Sequence, residues 1–312
     1  MRFFGRLAFC GIAVALFGGA ECSARSGPIQ PGGLDAAIAS ARPGDHLVLG
    51  RGQFGPLTIS GRTFSPAITI DASAASIDGI VIRGSRGIAF TGGTVANDPA
   101  QNFVILVDFS KDIAFSGMRV SGGRIGMSIS RSQDVKIQKN DFDGVRSDGV
   151  NVAMSQRVLI EGNLCHNFKP IMPVYDEKGK ITRDGDHPDC VQGWSNPKYP
   201  PTADITIVGN KGVGYMQGVF FGNGGQGGFD RVTVRDNDFT LSLWNGIVLV
   251  EARDSVVSGN TVRTIPGAKM GGYPFRPIIS WIKVGGERNR VCGNTVEQPR
   301  FSDGAFGGCP RH

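Results

Sequence analysis

The chain has 312 residues, of which 40% are hydrophobic, so it can bury a large core and is not a disordered protein. Its 47 glycines suit a chain with many tight turns rather than long helices. The formal net charge of +6 permits a polyanionic partner, but no basic run with interleaved aromatic residues is present. We therefore expect no nucleic-acid partner.

Residues 1–24 have the composition of a secretory signal peptide. Arg2 and Arg6 provide a positive start, and residues 7–17 form a short apolar segment that is followed by small residues. This segment is well below the roughly 20 apolar residues that a membrane-spanning helix needs, so we expect no stable membrane span. The sequence predicts an exported protein, periplasmic or secreted, whose single domain comprises residues 25–312.

The first predicted elements of this domain are one helix and one strand. Residues 34–41 have the apolar spacing of a short amphipathic helix, which Pro43 and Gly44 end. A strand follows at residues 46–49. Because a stacked sheet needs its first open end covered, we predict that the helix caps the N-terminal end of the domain.

From there to residue 293, short alternating strands are separated by Gly, Asn and Asp turns. The step of 23 residues from Asn140 to Asn163 recurs from Asn237 to Asn260. A fixed period of this size indicates a stacked repeat, in which one unit is too small to bury its own apolar face. We interpret the asparagines as structural, stacked so that they satisfy backbone groups. The pattern Val-x-Ile-x-x-Asn, or a close variant, ends at Asn140, Asn163, Asn210, Asn237, Asn260 and Asn294.

A second register marks the strand that follows each turn. One parallel strand per coil, stacked on its neighbour, explains this register. Together with the N-terminal segments 34–38, 43–45, 47–49 and 52–54, the pattern resembles the right-handed parallel β-helix of the pectate-lyase-like group. The resemblance implies an all-β fold, a single-stranded right-handed parallel β-helix (a solenoid) with a short N-terminal capping helix. The marked strands are residues 103–105, 125–127, 148–150, 189–191, 217–219 and 245–247.

Two interruptions of the repeat occur at the same place in the coil. About 18 extra residues are inserted at 167–184, and about 11 are inserted at 264–274. Both insertions precede a marked strand, so we expect them to rise over the same face, roughly 14 Å apart at about 4.8 Å per strand. A groove of that width suits a polymer, and loops on a rigid scaffold commonly carry function.

Cations and aromatic side chains are concentrated in these two insertions. An acidic sugar polymer needs both, because carboxylates pair with Arg or Lys and sugar faces stack on aromatic rings. We therefore predict an acidic polysaccharide as the partner. We expect the protein itself to be a monomer. The predicted substrate contacts include Tyr175 and Tyr273 from the insertions, Arg276 at the edge of the second insertion, and Asn223.

The residues after the first insertion are the strongest candidates for chemistry. His187 and Asp189 follow it directly. Because the register places Asp148 beside Asp189 in adjacent coils, the two side chains should be roughly 5 Å apart. Carboxylates that close repel, so either one holds a proton at neutral pH or a cation lies between them. The same register places Asn151 beside Gln192, and we predict both as substrate contacts.

We predict β-elimination as the reaction, in which a base removes the proton α to a uronate carboxylate. His187 or Lys169 is the predicted base, and Arg183 is the predicted partner of the uronate carboxylate. Asp148 and Asp189 would orient His187 or hold a cation that stabilises the developing negative charge.

Two motif resemblances leave other chemistry open. Segments 147–149 and 188–190, each centred on an aspartate, are similar to the paired acidic motifs of polygalacturonases, but the histidine that those enzymes carry on the intermediate coil is missing. The same segments resemble the calcium-binding aspartates of β-helical pectate lyases. That resemblance implies a calcium ion held by Asp148 and Asp189, with Asp186 as a third ligand.

The alternatives are a glycoside hydrolase, a uronate epimerase, and a non-catalytic carbohydrate-binding or surface β-helix protein. In a hydrolase, Asp189 and Asp148 would be the acid and base, but a spacing near 5 Å does not favour an inverting enzyme, which needs about 6.5–9.5 Å. Trp194 is predicted either as a sugar platform or as a core ring.

Four cysteines lie well beyond the predicted signal peptide. An even set of cysteines in an exported protein suggests disulfides. A bond between Cys165 and Cys190 would tie the base of the first insertion, and a bond between Cys292 and Cys309 would attach the C-terminal tail to the last coil.

Overall fold

The structure, a computed structural model, describes residues 27–222, 227–268 and 278–297. Within them the chain forms a parallel β-solenoid of about 9 turns. This confirms the predicted right-handed parallel β-helix. The predicted signal peptide lies outside the described residues. In the described part of the chain, no helix is long and apolar enough to cross a membrane.

Each coil contributes strands in turn to three stacks of parallel strands, because the apolar side of each short strand is buried only against its neighbours. The first stack contains β3 (Leu57–Ser60), β6 (Ile80–Arg83), β9 (Phe103–Asp108), β12 (Ile125–Ser130), β15 (Val150–Ala153), β20 (Asp189–Trp194), β23 (Gln217–Phe221), β26 (Asn245–Arg253) and β29 (Trp281–Glu287).

The second stack contains β1 (His46–Val48), β4 (Thr63–Asp71), β7 (Arg86–Thr91), β10 (Lys111–Ser116), β13 (Gln133–Gln138), β16 (Gln156–Glu161), β21 (Thr202–Val208), β24 (Phe229–Arg235), β27 (Val256–Ser258) and β30 (Arg290–Cys292). The third stack contains β2 (Gly52–Phe54), β5 (Ala75–Ile77), β8 (Thr94–Asn97), β11 (Arg119–Gly122), β14 (Asp141–Asp143), β17 (Leu164–His166), β22 (Lys211–Gly214), β25 (Asp238–Leu241), β28 (Thr261–Thr264) and β31 (Thr295–Val296).

The helix α1 (Leu34–Ala39) precedes the first coil and ends two residues earlier than the sequence predicted. The Ser40 hydroxyl donates to the Ala36 carbonyl at 2.7 Å and so competes with continuation of the helix. Leu34 and Ile38 are buried in the core at the N-terminal end of the solenoid, as expected of a capping helix.

The core is a single column of apolar side chains that point into the coils. Successive coils place like residues over one another, as with Phe90 and Phe115, whose ring centroids are 5.6 Å apart. Burial of such side chains stabilises the fold by about 1.5–3 kcal/mol each. Outward side chains of the first stack are therefore held on a rigid surface.

The repeated asparagines form a continuous hydrogen-bonded column between the second and third stacks, as predicted. From Asn163 onwards, the Oδ1 atom of each asparagine accepts from the backbone N–H of the asparagine one coil before it, at 2.9–3.0 Å. Asn140 Oδ1 accepts from the Met118 N–H at 3.0 Å. These bonds satisfy backbone groups that the turns would otherwise leave unpaired.

A disulfide joins Cys165 and Cys190 at the base of the first insertion, with a Cα–Cα distance of 5.7 Å. This confirms the first predicted pair and indicates an oxidising compartment. The insertion itself forms a hairpin of β18 (Val174–Tyr175) and β19 (Ile181–Arg183). Cys309 and most of the second insertion, from residue 269 onwards, lie outside the described residues, so the second disulfide and the second loop stay predictions.

Candidate functional site

Two aspartates lie side by side under the first insertion, as the register predicts. Val150 pairs with Val191 in the first stack, which places Asp148 and Asp189 in adjacent coils. The backbone N–H of Asp189 donates to Asp148 Oδ1 at 3.3 Å. Gln217 and Asn245 continue this row in the next two coils, and we call the four residues the acidic column.

Both carboxyl groups of the acidic column are buried, and burial favours their neutral form. Desolvation raises the pKa of Asp148 to about 6. Desolvation, followed by repulsion from Asp148, raises the pKa of Asp189 well above its usual value. Asp189 Oδ1 is buried and has no hydrogen-bond partner among the described residues. Without a cation between them, burial therefore favours a proton on at least one of the two carboxyl groups.

Gln192 determines which oxygen of Asp189 carries that proton. Its Oε1 atom accepts from Asn151 Nδ2 at 2.9 Å and from Trp194 Nε1 at 2.6 Å. Its Nε2 atom must therefore be the donor to Asp189 Oδ2, at 3.0 Å. Because Oδ2 is already an acceptor, the proton of Asp189 belongs on Oδ1.

A cleft of about 790 Å³ lies above the acidic column, within the size range of ligand sites. Pro173, Tyr175 and Ile181 of the first insertion form one wall, and Trp244 lies two coils away from Asp189. Aromatic rings dominate the lining, and they are supplied by Tyr175, Trp194, Tyr215, Phe220 and Trp244.

The titratable groups that solvent can reach in this cleft lie on its wall rather than on its floor. The side chains of His187 and Asp184 are 70% and 69% exposed, and His187 Nε2 lies 3.4 Å from Asp184 Oδ1. Arg124 also lines the cleft and lowers the pKa of Asp148, although less than burial raises it. The wall therefore offers a histidine, a carboxylate and a guanidinium to a ligand.

Three predicted site residues do not line the cleft. Lys169 is exposed at the base of the insertion, where its backbone N–H bonds to Val145. Arg183 is exposed on the hairpin, whose register is irregular, so its position could not be obtained from strand alternation. Asn151 is buried and bonds to Gln192 instead of facing the cleft. The structure therefore does not bring Lys169, Arg183 or Asn151 to this cleft, and their predicted roles stay predictions.

Of the other predicted contacts, Tyr175, Gln192 and Trp194 do line the cleft. Trp194 is 42% exposed, so it is not a core ring. Asn223, Tyr273 and Arg276 lie outside the described residues, and their roles stay predictions.

Asp186 does not join the other two aspartates as a metal ligand. Its Oδ2 atom accepts from the Ile171 backbone N–H at 2.8 Å and lies 3.1 Å from Arg146 Nε, so the carboxylate holds the insertion to the preceding coil. The described residues contain no group of three or more His, Cys, Asp or Glu side chains suited to a metal ion. Calcium takes six to eight oxygen ligands, which include backbone carbonyls and waters as well as carboxylates, so calcium binding at Asp148 and Asp189 stays a prediction.

The sequence reasoning missed several lining residues, among them Arg124, Asp184, Tyr215 and Trp244. Arg124 directly precedes a marked strand, so the register contained a signal for it. The remaining members of the acidic column, Gln217 and Asn245, also occupy the position of Asp189 in that register. No comparable signal identifies which aromatic residues turn towards the cleft.

Comparison with known proteins supports the fold and leaves the chemistry open. Residues 58–175 match the family model of the periplasmic copper-binding protein NosD, which is less than half of the chain. No curated protein matches the sequence.

Two solved structures are similar over most of the chain. The Dettilon tailspike protein superposes with a TM-score of 0.57 at 14% identity, over 86% of this chain and 58% of that one. A family 28 exopolygalacturonase of Yersinia enterocolitica superposes with a TM-score of 0.51 at 10% identity, over 87% of this chain and 64% of that one. The chain thus spans less than two thirds of both proteins. At these identities the likeness shows the fold alone, a parallel β-helix.

Proposed function

We propose that the protein is an exported enzyme that cleaves a uronate-containing polysaccharide by β-elimination in this cleft. The observation that carries the proposal is the exposed His187–Asp184 pair on a cleft wall that also presents Arg124 and aromatic rings. A lyase needs a base that can reach the sugar, a cation for the uronate carboxylate, and apolar surfaces for sugar rings.

His187 is the base of the proposed reaction. The contact of Nε2 with Asp184 favours a proton on that nitrogen, which leaves Nδ1 as the atom that accepts a proton. Nδ1 takes the proton from C5 of the uronate, a double bond forms between C4 and C5, and the bond from C4 to the glycosidic oxygen breaks. The released oxygen is protonated by a cleft acid or by water.

Arg124 pairs with the uronate carboxylate and stabilises the negative charge that develops on it. The acidic column assists because it carries less negative charge than two ionised carboxyl groups would. If Asp148 and Asp189 were both ionised, the cleft floor would repel a uronate. The buried proton on Asp189 removes one negative charge. Because the pKa of Asp148 is about 6, its negative charge is reduced as pH falls below neutral.

Accessibility separates this reaction from hydrolysis. A hydrolase needs one carboxyl group at the glycosidic oxygen and another at the sugar face or at a water molecule. Asp189 is 0% exposed and Asp148 is 4% exposed, and both lie in one row on the floor. Neither position lets the pair flank a bond of a polymer in the cleft.

Copper binding, which the matched family's description mentions, finds little support in the residues of the matched segment. Within residues 58–175, Cys165 is in a disulfide, and His166 bonds to Asp141 at 2.7 Å. The described part of this segment gathers no group of potential ligands. We assign no step to copper or calcium, and calcium binding stays a prediction.

The test is turnover of purified mature protein on pectate, alginate and chondroitin, with and without calcium. We expect ultraviolet absorbance from an unsaturated uronide with at least one polymer. His187→Ala should lower the rate by about 10²–10⁴-fold, as for loss of a general base, without loss of stability because the side chain is exposed. His46→Ala, an exposed histidine on β1, is the matched control and should keep the wild-type rate.

Three results would contradict the proposal. New reducing ends without absorbance would indicate a hydrolase. Polymer binding without any product would indicate a carbohydrate-binding protein. An unchanged rate in a folded His187→Ala variant would remove His187 from the mechanism.

A further inference from the structure

A third interruption of the repeat lies on the opposite side of β20 from the first insertion. In regular coils two residues connect the first stack to the second, as at 131–132 and 154–155, whereas seven residues, 195–201, separate β20 from β21. This loop is held in place, because Gln156 Nε2 donates to the Pro201 carbonyl at 2.9 Å. An anchored loop that departs from the repeat is a place where function is expected.

The loop brings Tyr199 to an arginine that projects from a turn two coils nearer the N-terminus. The Arg131 guanidinium lies 5.7 Å from the Tyr199 ring centroid and 4.0 Å from that of Phe109. Asp108 fixes the guanidinium by accepting from its Nη2 at 2.7 and 2.8 Å and from its Nε at 3.0 Å. We call Phe109, Arg131 and Tyr199 the aromatic shelf.

The two rings of this shelf are exposed to solvent, although the fold has an apolar core that buries other aromatic rings. Phe109 is 58% exposed and Tyr199 is 40% exposed. The charge of Arg131 is matched by Asp108, so the shelf presents flat surfaces without excess charge. Such a surface suits the apolar faces and hydroxyl groups of sugar rings better than it suits a phosphate or a strongly charged partner.

The shelf is continuous with the cleft through Trp194. Trp194 lines the cleft, and its register neighbours in the preceding coils are Ala153, Ser130 and Asp108. Three steps of about 4.8 Å give roughly 14 Å along the solenoid axis from Trp194 to the coil that carries Phe109. A polymer that leaves the cleft over Trp194 therefore meets the shelf next.

We infer that the aromatic shelf is a second polysaccharide-binding site, which holds the part of the polymer chain that extends beyond the cleft. The inference rests on the proposed function for the identity of the polymer, but it does not need the cleft to be catalytic. It assigns the shelf to affinity for long chains and gives it no part in bond cleavage.

The test is the double variant Phe109→Ala/Tyr199→Ala, which leaves the Asp108–Arg131 pair intact. We expect binding to the polymer to weaken about tenfold, as for loss of an aromatic contact. With turnover, KM for the polymer should rise by the same factor, while kcat and the rate on a trisaccharide should not change. Leu164→Ala/Val213→Ala, on the exposed face of the third stack, is the control for loss of exposed apolar side chains.

Unchanged polymer affinity in a variant of unchanged melting temperature would overturn the inference, as would an equal loss with the trisaccharide. If the wild type binds polymer but does not cleave it, the proposed function fails while the affinity comparison still tests the shelf. If the wild type binds none of the polymers, or the double variant loses a protein partner instead, the shelf is not a sugar site. The single variant Tyr199→Ala repeats the test should the double variant be unstable.

Discussion

Two polar columns run along the same solenoid, the asparagine column (Asn140 to Asn294) and the acidic column. Both place polar side chains one coil apart, and most of these side chains are buried. In the asparagine column every amide has partners: Asn210 Oδ1 accepts from Asn163, and its Nδ2 donates to Ile160, Val208 and Asn237. In the acidic column Asp189 Oδ1 has no partner in the described part of the chain.

The difference follows from the chemistry of the side chains, since the spacing is the same. An amide carries a donor and an acceptor, so a stack of amides closes every hydrogen bond. A carboxylate only accepts, so two adjacent carboxylates repel unless one holds a proton or a cation lies between them. The first arrangement stabilises the fold, and the second supplies a shifted pKa beneath a cleft.

Placing a carboxylate in the asparagine column should have the largest effect. Asn210→Asp removes the donor to Ile160 and Val208, and it buries a charge at neutral pH. We expect the free energy of unfolding to fall by about 4 kcal/mol or more at pH 7. Denaturant unfolding measures this. Asn294 lies at the half-buried end of the column, so the free energy of unfolding should fall much less in Asn294→Asp. Equal falls in the two variants would contradict the account.

Placing an amide in the acidic column, as in Asp148→Asn, should stabilise the protein in a pH-dependent way. Folding raises the pKa of Asp148 from 3.8 to about 6. The contribution of protonated Asp148 to the free energy of unfolding is therefore complete below pH 3.8 and is lost as pH rises through 6. The Asp148→Asn variant does not undergo that loss. Its free energy of unfolding should therefore exceed that of wild type by up to about 3 kcal/mol at pH 7.5 and by almost nothing at pH 4.

Asp204→Asn is the control of opposite sign. Arg231 lowers the pKa of Asp204, so that carboxylate stabilises above its unfolded pKa and its contribution is lost as pH falls. The exposed pair should contribute less than about 1 kcal/mol. Unfolding curves for Asp148→Asn that run parallel to wild type from pH 4 to 7.5 would show that Asp148 is not a buried acid with a raised pKa.

The smallest effect is expected at the residue that links the acidic column to the cleft. Gln192→Leu removes the bonds to Asn151, Asp189 and Trp194 and should cost about 1–2 kcal/mol of stability, because water replaces the partner of the exposed Trp194. Gln138→Leu, which removes one surface bond to Glu161, should cost less than about 0.5 kcal/mol. Comparable losses in thermal unfolding would mean that Gln192 is an ordinary surface residue.

The sequence allowed the fold and the pairing of Asp148 with Asp189 to be predicted, because both depend on the repeat alone. Counting residues from one asparagine to the next assigns each residue a coil and a position. The repeat does not determine the course of an inserted loop, so Lys169 and Arg183 were misplaced. The 47-residue step from Asn163 to Asn210 did contain the shelf loop, but its residues were not separated from the first insertion.

Buried contacts were the second limit of prediction. Asn151 has the correct register but bonds to Gln192, and Asp186 bonds to the backbone of Ile171. Such choices depend on which donors reach a carboxylate in three dimensions, and residue type does not reveal them. The sequence therefore indicated the coils that carry the candidate site but did not separate the wall of the cleft from its floor.

The most direct test of the central claim is a crystal structure of His187→Ala with a uronate oligosaccharide from the polymer that the wild type cleaves. The account predicts a uronate carboxylate at Arg124, sugar rings against the cleft aromatics, and C5 facing the position of the missing imidazole, within about 3–3.5 Å of where Nδ1 would lie. An oligosaccharide bound with its scissile bond at Asp148, or bound away from the cleft, would contradict it.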